Sequence, residues 1–123
     1  MTHKLLLVDD SGLARRSMRA ILETAGYEVV EAEDGMTALE RYYLEKPDVV
    51  LLDLVMKGMY GLDVLTKLRE LDPAARVIIV SADVQSSSQD LVHAAGASGF
   101  INKPVDGPRV LALVRGLLER SDS

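Results

Sequence analysis

The chain has no cysteine among its 123 residues. That removes disulfide frameworks and thiolate metal sites, and it suits a reducing compartment. Long apolar runs are missing too: the N-terminal one, Leu5 to Val8, stops at two aspartates, and no run approaches transmembrane length. A cytoplasmic location without membrane attachment is expected. Basic residues are the minority, 14 against 19 acidic for a formal charge of −5. The clustered Lys and Arg that a phosphate backbone needs are therefore lacking, and no nucleic-acid partner is expected. Aromatics make up only 4% of a chain that is 48% hydrophobic, so a globular core must come mainly from Val, Leu, Ile and Ala. There is no G-x-G-x-x-G and no Walker A loop.

What the chain does have is four short apolar runs, each ending on a polar residue usable in chemistry. Leu5-Leu6-Leu7-Val8 runs into Asp9-Asp10, Val49-Val50-Leu51-Leu52 into Asp53, Val77-Ile78-Ile79-Val80 into Ser81, and Phe100-Ile101 into Asn102-Lys103-Pro104. Runs this short, without alternation and separated by amphipathic stretches, predict parallel strands buried on both faces. Parallel strands all point one way. Their closing residues therefore gather on the carboxyl-end rim, where open α/β sheets place ligand sites.

Strand and helix alternate five times along the chain, the pattern of a doubly wound α/β fold, and 123 residues make one domain, 1–123. Asp10 or Ser11 can cap a first helix with the stripe Ala14, Met18, Ile21, Leu22 and Ala25. Tyr27 to Ala32 predicts the second strand, and Asp34 caps a helix from about Gly35 to Lys46 that Pro47 stops. The third helix, about Gly61 to Leu71, is expected to bury Leu62, Leu65, Leu68 and Leu71. The fourth carries Ser86-Ser87-Ser88, whose hydroxyls compete for backbone hydrogen bonds, and is expected to be the most mobile. The fifth opens at Asp106-Gly107-Pro108 and turns Val110, Leu113, Val114 and Leu117 inward; Leu111 and Leu118 fall outside that stripe.

Consecutive residues leaving a strand point to opposite sides, so Asp9 and Asp10 meet one ion differently, one directly and one through water. With Asp53 they form a cluster of like charges that either raises pKa values or recruits a cation. All-oxygen ligation of this kind suits Mg²⁺. A metal there lets a phosphoryl group approach an aspartate nucleophile, and Asp53, alone on the central run, is the best nucleophile. Lys103 supplies an ammonium and Ser81 a hydroxyl to the phosphoryl oxygens. A cis Lys103-Pro104 peptide is allowed by the sequence.

In these motifs the chain resembles the receiver domains of two-component response regulators, including the single-domain chemotaxis type. The resemblance rests on Asp9-Asp10, Asp53, Gly61 eight residues later, Ser81-Ala82, and Phe100 three residues before Lys103-Pro104. It implies a flavodoxin-like sheet of five parallel strands in the order 2-1-3-4-5 with five helices. It also implies phosphate transfer from a histidine kinase to Asp53, and Mg²⁺ bound by Asp10, Asp53 and the Val55 carbonyl, with Asp9 acting through water. Ser81 and Phe100 would be a switch pair, changing a face of fourth helix, fifth strand and fifth helix that meets a downstream target or a second copy. Such a protein acts as a signalling switch and not as an enzyme, catalysing only its own phosphorylation and slow dephosphorylation. Three positions depart from the usual pattern: Lys57 stands where proline is frequent, Ser81 replaces threonine, and Phe100 lacks a hydroxyl.

Other classes fit less well. A flavin-binding module needs a first loop that welcomes phosphate, and two carboxylates repel it. A haloacid dehalogenase-type hydrolase wants a second Asp two residues past the nucleophile, where Val55 stands. The runner-up is a receiver-like interaction module working without phosphorylation. His93 is read as a residue of a polar helix with no second ligand nearby, metal binding or phosphotransfer being the minor alternative, Arg15, Arg16 and Arg19 as a solvated face with kinase docking as the alternative, and Met56 and Met59 as packing under the loop after Asp53.

Overall fold

Unbroken apolar runs have no side to give to water, so they stack in the middle of the molecule with helices over both faces. A computed structural model of the chain, which describes residues 2–56, 59–82 and 86–122, has this arrangement. The main sheet contains β1 (Lys4–Val8), β2 (Glu28–Ala32), β3 (Val49–Asp53), β4 (Val77–Ser81) and β5 (Gly99–Asn102). All neighbours pair in parallel, in the order β2-β1-β3-β4-β5, which is the expected 2-1-3-4-5. Between the strands run α1 (Gly12–Thr24), α2 (Gly35–Glu45), α3 (Gly61–Leu71) and α4 (Ser86–Ala94), and α5 (Gly107–Asp122) follows β5.

Alternate strand residues feed two cores. Leu6, Val8, Val50, Leu52, Val77 and Ile79 pack with Ala38 of α2, Val64, Leu65 and Leu68 of α3 and Val92 of α4. Leu5, Leu7, Val49, Leu51, Ile78 and Val80 pack with Met18 and Leu22 of α1 and Val110, Val114 and Leu117 of α5. Helices α1 and α5 thus cover one face and α2 to α4 the other.

Caps fall where side chains can reach the loose N–H groups of a helix start. Ser11, not Asp10, caps α1, its Oγ accepting from the Ala14 N–H at 3.1 Å. Asp34 caps α2 through the Thr37 N–H at 2.8 Å. At the far end of α2, Lys46 takes a left-handed conformation with φ 49°, and Pro47 follows.

Periodicity misplaced several residues. Leu71 is 64% exposed, because α3 ends with it, and its core stripe holds Val64 instead, beside Leu65 and Leu68. Leu118 is only 4% exposed and Leu111 is half-buried, both against the α1/α5 core. Helix α5 touches α1 as well as the sheet, so its buried arc is wider than one stripe. Ala25 is exposed just past α1.

Candidate functional site

The ends of β1 and β3 bring the carboxylates of Asp9, Asp10 and Asp53 together, with ligand oxygens all within 4.8 Å of one another. Among the described residues this is the one such acidic or histidine group, and His93, exposed on α4, is not part of it. Lys103, just past β5, reaches in from the third side. Its Nζ lies 3.1 Å from Asp9 Oδ2 and 3.7 Å from Asp53 Oδ1. The Lys103–Pro104 peptide is cis.

Asp53 is only 8% exposed. Beside it is a cavity of about 260 Å³ between α1 and the segment after β5, with Met18, Ile21, Leu51, Val80 and Val105 in its walls. Such apolar surroundings disfavour a charge. Burial pushes the Asp53 carboxyl up from 3.8 to about 6, and the negative charge of Asp9 adds to the rise; Lys103 and a backbone hydrogen bond from Val55 oppose it. One ammonium does not compensate for three carboxylates. A hard cation would, and a cluster of carboxylate oxygens open to water is the donor set that Mg²⁺ takes. Asp9 is already engaged: Oδ1 accepts from the Ser11 N–H at 2.9 Å and Oδ2 from Lys103, which suits contact with an ion through water rather than directly.

The remaining predicted residues sit around this centre. Val55 is exposed in a two-residue antiparallel ladder, Val55–Met56 against Met59–Tyr60, with Val55 opposite Tyr60. Met56 packs under it in the core. Gly61 opens α3 and is pressed against the chain after Asp53, its N–H donating to the Leu54 carbonyl at 2.7 Å. Ser81 is buried at the end of β4, where its carbonyl accepts the Lys103 N–H at 2.8 Å. Val77, Ile79 and Ser81 share one face of β4, and Phe100, paired with Ile79, packs half-buried against that same core. Phe100 also lines a groove of about 230 Å³ with Val92 and His93 of α4. Lys57 lies outside the described residues, as do the side chain of Met59 and Asp83, the carboxylate two residues past Ser81 that would compete with Val55 for control of a water attacking at Asp53.

Reading the arginines of α1 as a solvated face is wrong for one of them. Arg15 lines the cavity beside Asp53, and its Nη1 donates to the Asp9 carbonyl at 2.6 Å. Its other partner, Glu31, lies on β2, 16 residues away, so no local pattern could have exposed the pair.

The family model for the response regulator receiver domain matches residues 5–115, nearly the whole sheet-and-helix alternation and every residue of this site. The chain belongs to the response regulator receiver domain family. This receiver domain is 40% identical over 119 residues to the chemotaxis protein CheY of Bacillus subtilis (strain 168), covering 96% of this chain and 99% of that one. It superposes on a CheY-like receiver domain protein from Methanospirillum hungatei JF-1 with a TM-score of 0.94 at 28% identity, covering 99% of this chain and 98% of that one. With CheY in a CheX-CheY-BeF3-Mg+2 complex from Borrelia burgdorferi the TM-score is 0.90 at 32% identity, covering 94% and 89%. Receiver domains of this kind serve two-component signalling as phosphorylation switches. No helix among the described residues is long and apolar enough to cross a membrane.

Proposed function

We propose that this receiver domain takes a phosphoryl group from the phosphohistidine of a histidine kinase onto Asp53, and answers by changing the surface formed by α4, β5 and α5. The observation that carries this reading is a buried aspartate ringed by two further carboxylates and a lysine ammonium. An Asp53 oxygen attacks phosphorus, the P–N bond breaks, and the imidazole nitrogen keeps the bonding electrons. Asp10, Asp53 and the Val55 carbonyl would hold Mg²⁺, with Asp9 reaching it through water; when bound, the ion offsets the charge that otherwise repels a phosphoryl group. Lys103 turns from Asp9 toward the new phosphoryl oxygens, and the Ser81 hydroxyl donates to another. The domain's chemistry is confined to itself. A module that works without phosphorylation has no observation in its favour, since every group the reaction needs is present.

The response runs through Ser81 and Phe100, which share the sheet face that α4 covers. Leu91 of α4, 55% exposed, provides an apolar contact for a downstream target or a second copy of the domain. Leu111 and Leu118, outside the inward stripe read from the sequence, do not supply that contact, because Leu118 is buried in the core and Leu111 packs against it. The test is phosphotransfer from a panel of phosphorylated histidine kinases, followed by hydrogen exchange with and without beryllofluoride. Transfer that fails in chelator and protection changes confined to α4 through α5 are expected. Label on a residue other than Asp53, or exchange unaltered from α4 to α5, overturns the corresponding half of the reading.

The lifetime of the phosphorylated state depends on a water placed in line with phosphorus. Val55 stands two residues past the acceptor, 61% exposed, and its side chain has nothing with which to orient that water. Slow self-dephosphorylation is therefore expected. Val55→Asn should decay faster, by roughly threefold or more, by supplying an amide that positions the water. Decay of the purified aspartyl phosphate in saturating Mg²⁺ measures it; equal rates would remove Val55 as the cause.

A further inference from the structure

Asp9 is held at every polar atom. Its N–H donates to the Ala32 carbonyl at 3.2 Å, Oδ1 accepts from Ser11, Oδ2 accepts from Lys103, and its carbonyl accepts from Arg15 Nη1 at 2.6 Å. The last contact has a particular consequence. The carbonyl of Asp9 belongs to the same rigid peptide plane as the N–H and Cα of Asp10, so fixing that oxygen fixes the base from which the Asp10 side chain leaves the backbone. No regular strand bond does this, because β1 ends at Val8.

The guanidinium is itself fixed. Its Nε donates to Glu31 Oε1 at 2.9 Å, and the other oxygen of Glu31 accepts from Arg19, which also pairs with Glu23 at 3.1 Å one turn along the helix. Glu31 lies opposite Leu7 in the β1–β2 register, on the face that α1 covers. Arg19 and Arg15 hold the Glu31 carboxyl below the usual carboxylate range, so it stays charged and the fork stays closed. With its side chain only 18% exposed, Arg15 has little room to adopt another pose.

We infer that Arg15, locked by Glu31, is a positioning residue for the cation and phosphoacceptor site: it orients the Asp9–Asp10 peptide so that the Asp10 carboxylate meets Asp53, and Glu31 keeps the guanidinium from turning onto those carboxylates itself. This rests on the proposed Mg²⁺ role of Asp10 and Asp53. It concerns ion affinity and not the chemical step.

Sign separates this role from simple electrostatics. Removing a cation next to an acidic cluster should tighten binding of a divalent ion, whereas loss of a positioning contact should weaken it. The experiment is titration of the unphosphorylated protein with Mg²⁺ by calorimetry, repeated with Mn²⁺ by water-proton relaxation, on wild type, Arg15→Met, Glu31→Gln and the double variant. Arg16→Ala, at an exposed position on the same helix, controls for the lost charge. Arg15→Met is expected to raise the Mg²⁺ dissociation constant by about fivefold or more while Arg16→Ala leaves it unchanged or lowers it. Glu31→Gln should also weaken binding, and the double variant should bind no worse than Arg15→Met, since the two act through one contact.

Unchanged or tighter binding by Arg15→Met, with only a lower melting temperature, would make the arginine a structural brace and overturn the inference. So would additive effects in the double variant. If Arg15→Met does not fold, Glu31→Gln alone decides against the same wild-type constant, and an unaltered constant there counts as refutation. Should wild type bind no divalent ion at all, the underlying Mg²⁺ reading fails instead, and the two failures are told apart.

Discussion

Asp53→Asn is expected to take up no phosphoryl group from acetyl phosphate in Mg²⁺ and, at neutral pH, to be more stable than the protein it came from. The first effect follows from loss of the nucleophile: an amide oxygen does not form the acyl phosphate. The second follows from the carboxyl's environment. Its value is about 6 in the native state against an ordinary 3.8. Below 3.8 the group is neutral folded or unfolded, and its contribution to stability is fully present. As pH rises through about 6 the native state must ionise a carboxyl that burial and Asp9 disfavour, and that contribution is lost. At about 1.36 kcal/mol per pH unit the loss is on the order of 1–3 kcal/mol, allowing for relaxation at the rim. The amide avoids it, so Asp53→Asn should melt roughly 3–10 °C higher at pH 7.5. Near pH 4 the two proteins should converge. If Mg²⁺ occupies the site as proposed, it should raise the melting temperature of wild type and much less that of the variant. Intact-mass spectrometry and melting curves at two pH values check both halves. An adduct on Asp53→Asn, or an equal melting difference at both pH values, contradicts the assignment.

Gly61→Ala should lose stability and phosphorylation rate together. A Cβ built at this position would stand 2.4 Å from the Asp53 carbonyl oxygen, 2.7 Å from Leu54 Cα and 2.8 Å from the Leu54 oxygen. All three are backbone atoms, which cannot swing aside as a long side chain would. Either α3 retreats from the sheet or the chain after Asp53 moves, and the expected cost is about 1–3 kcal/mol, as for overpacking elsewhere. Helix propensity argues the opposite way, favouring alanine over glycine by about 1 kcal/mol inside a helix. The sign of the change is therefore informative. Urea denaturation should show a lower midpoint, and acetyl phosphate turnover in Mg²⁺ should slow because Asp53 is carried on the displaced backbone. A midpoint at or above that of wild type would mean that the close approach of α3 to the phosphoacceptor strand is not limiting.

A site on a parallel sheet is unusually legible in sequence, because one rule converts the end of each apolar run into a place on a common rim. Asp9, Asp10, Asp53 and Lys103 could be assembled that way without any long-range information, and they do meet. Gly61 came from the family resemblance and not from that rule, and neither gave its reason, the backbone contact that leaves no space for a Cβ. Strand order lay beyond periodicity too. It came from the family resemblance, since a run of Val and Leu does not state which other run it lies beside.

Local pattern alone was enough for the alternation of strands and helices, the parallel sheet buried on both faces, and the gathering of the charged residues at its carboxyl rim, because each depends on side-chain spacing along a short stretch. Tertiary structure decided the rest. Leu118 is buried since α1 lies against α5 as well as the sheet, and Leu71 is exposed since its helix stops there. Arg15 leaves the solvated face for the site because Glu31, on another strand, is placed to hold it. The Asp53 carboxyl is pushed up to about 6 because the fold buries it and sets Asp9, from another strand, beside it. For Leu118, Arg15 and Asp53 the deciding partner lies far away in sequence, and the energy of a contact or a desolvated charge depends on which surfaces meet, which residue spacing along one element does not encode.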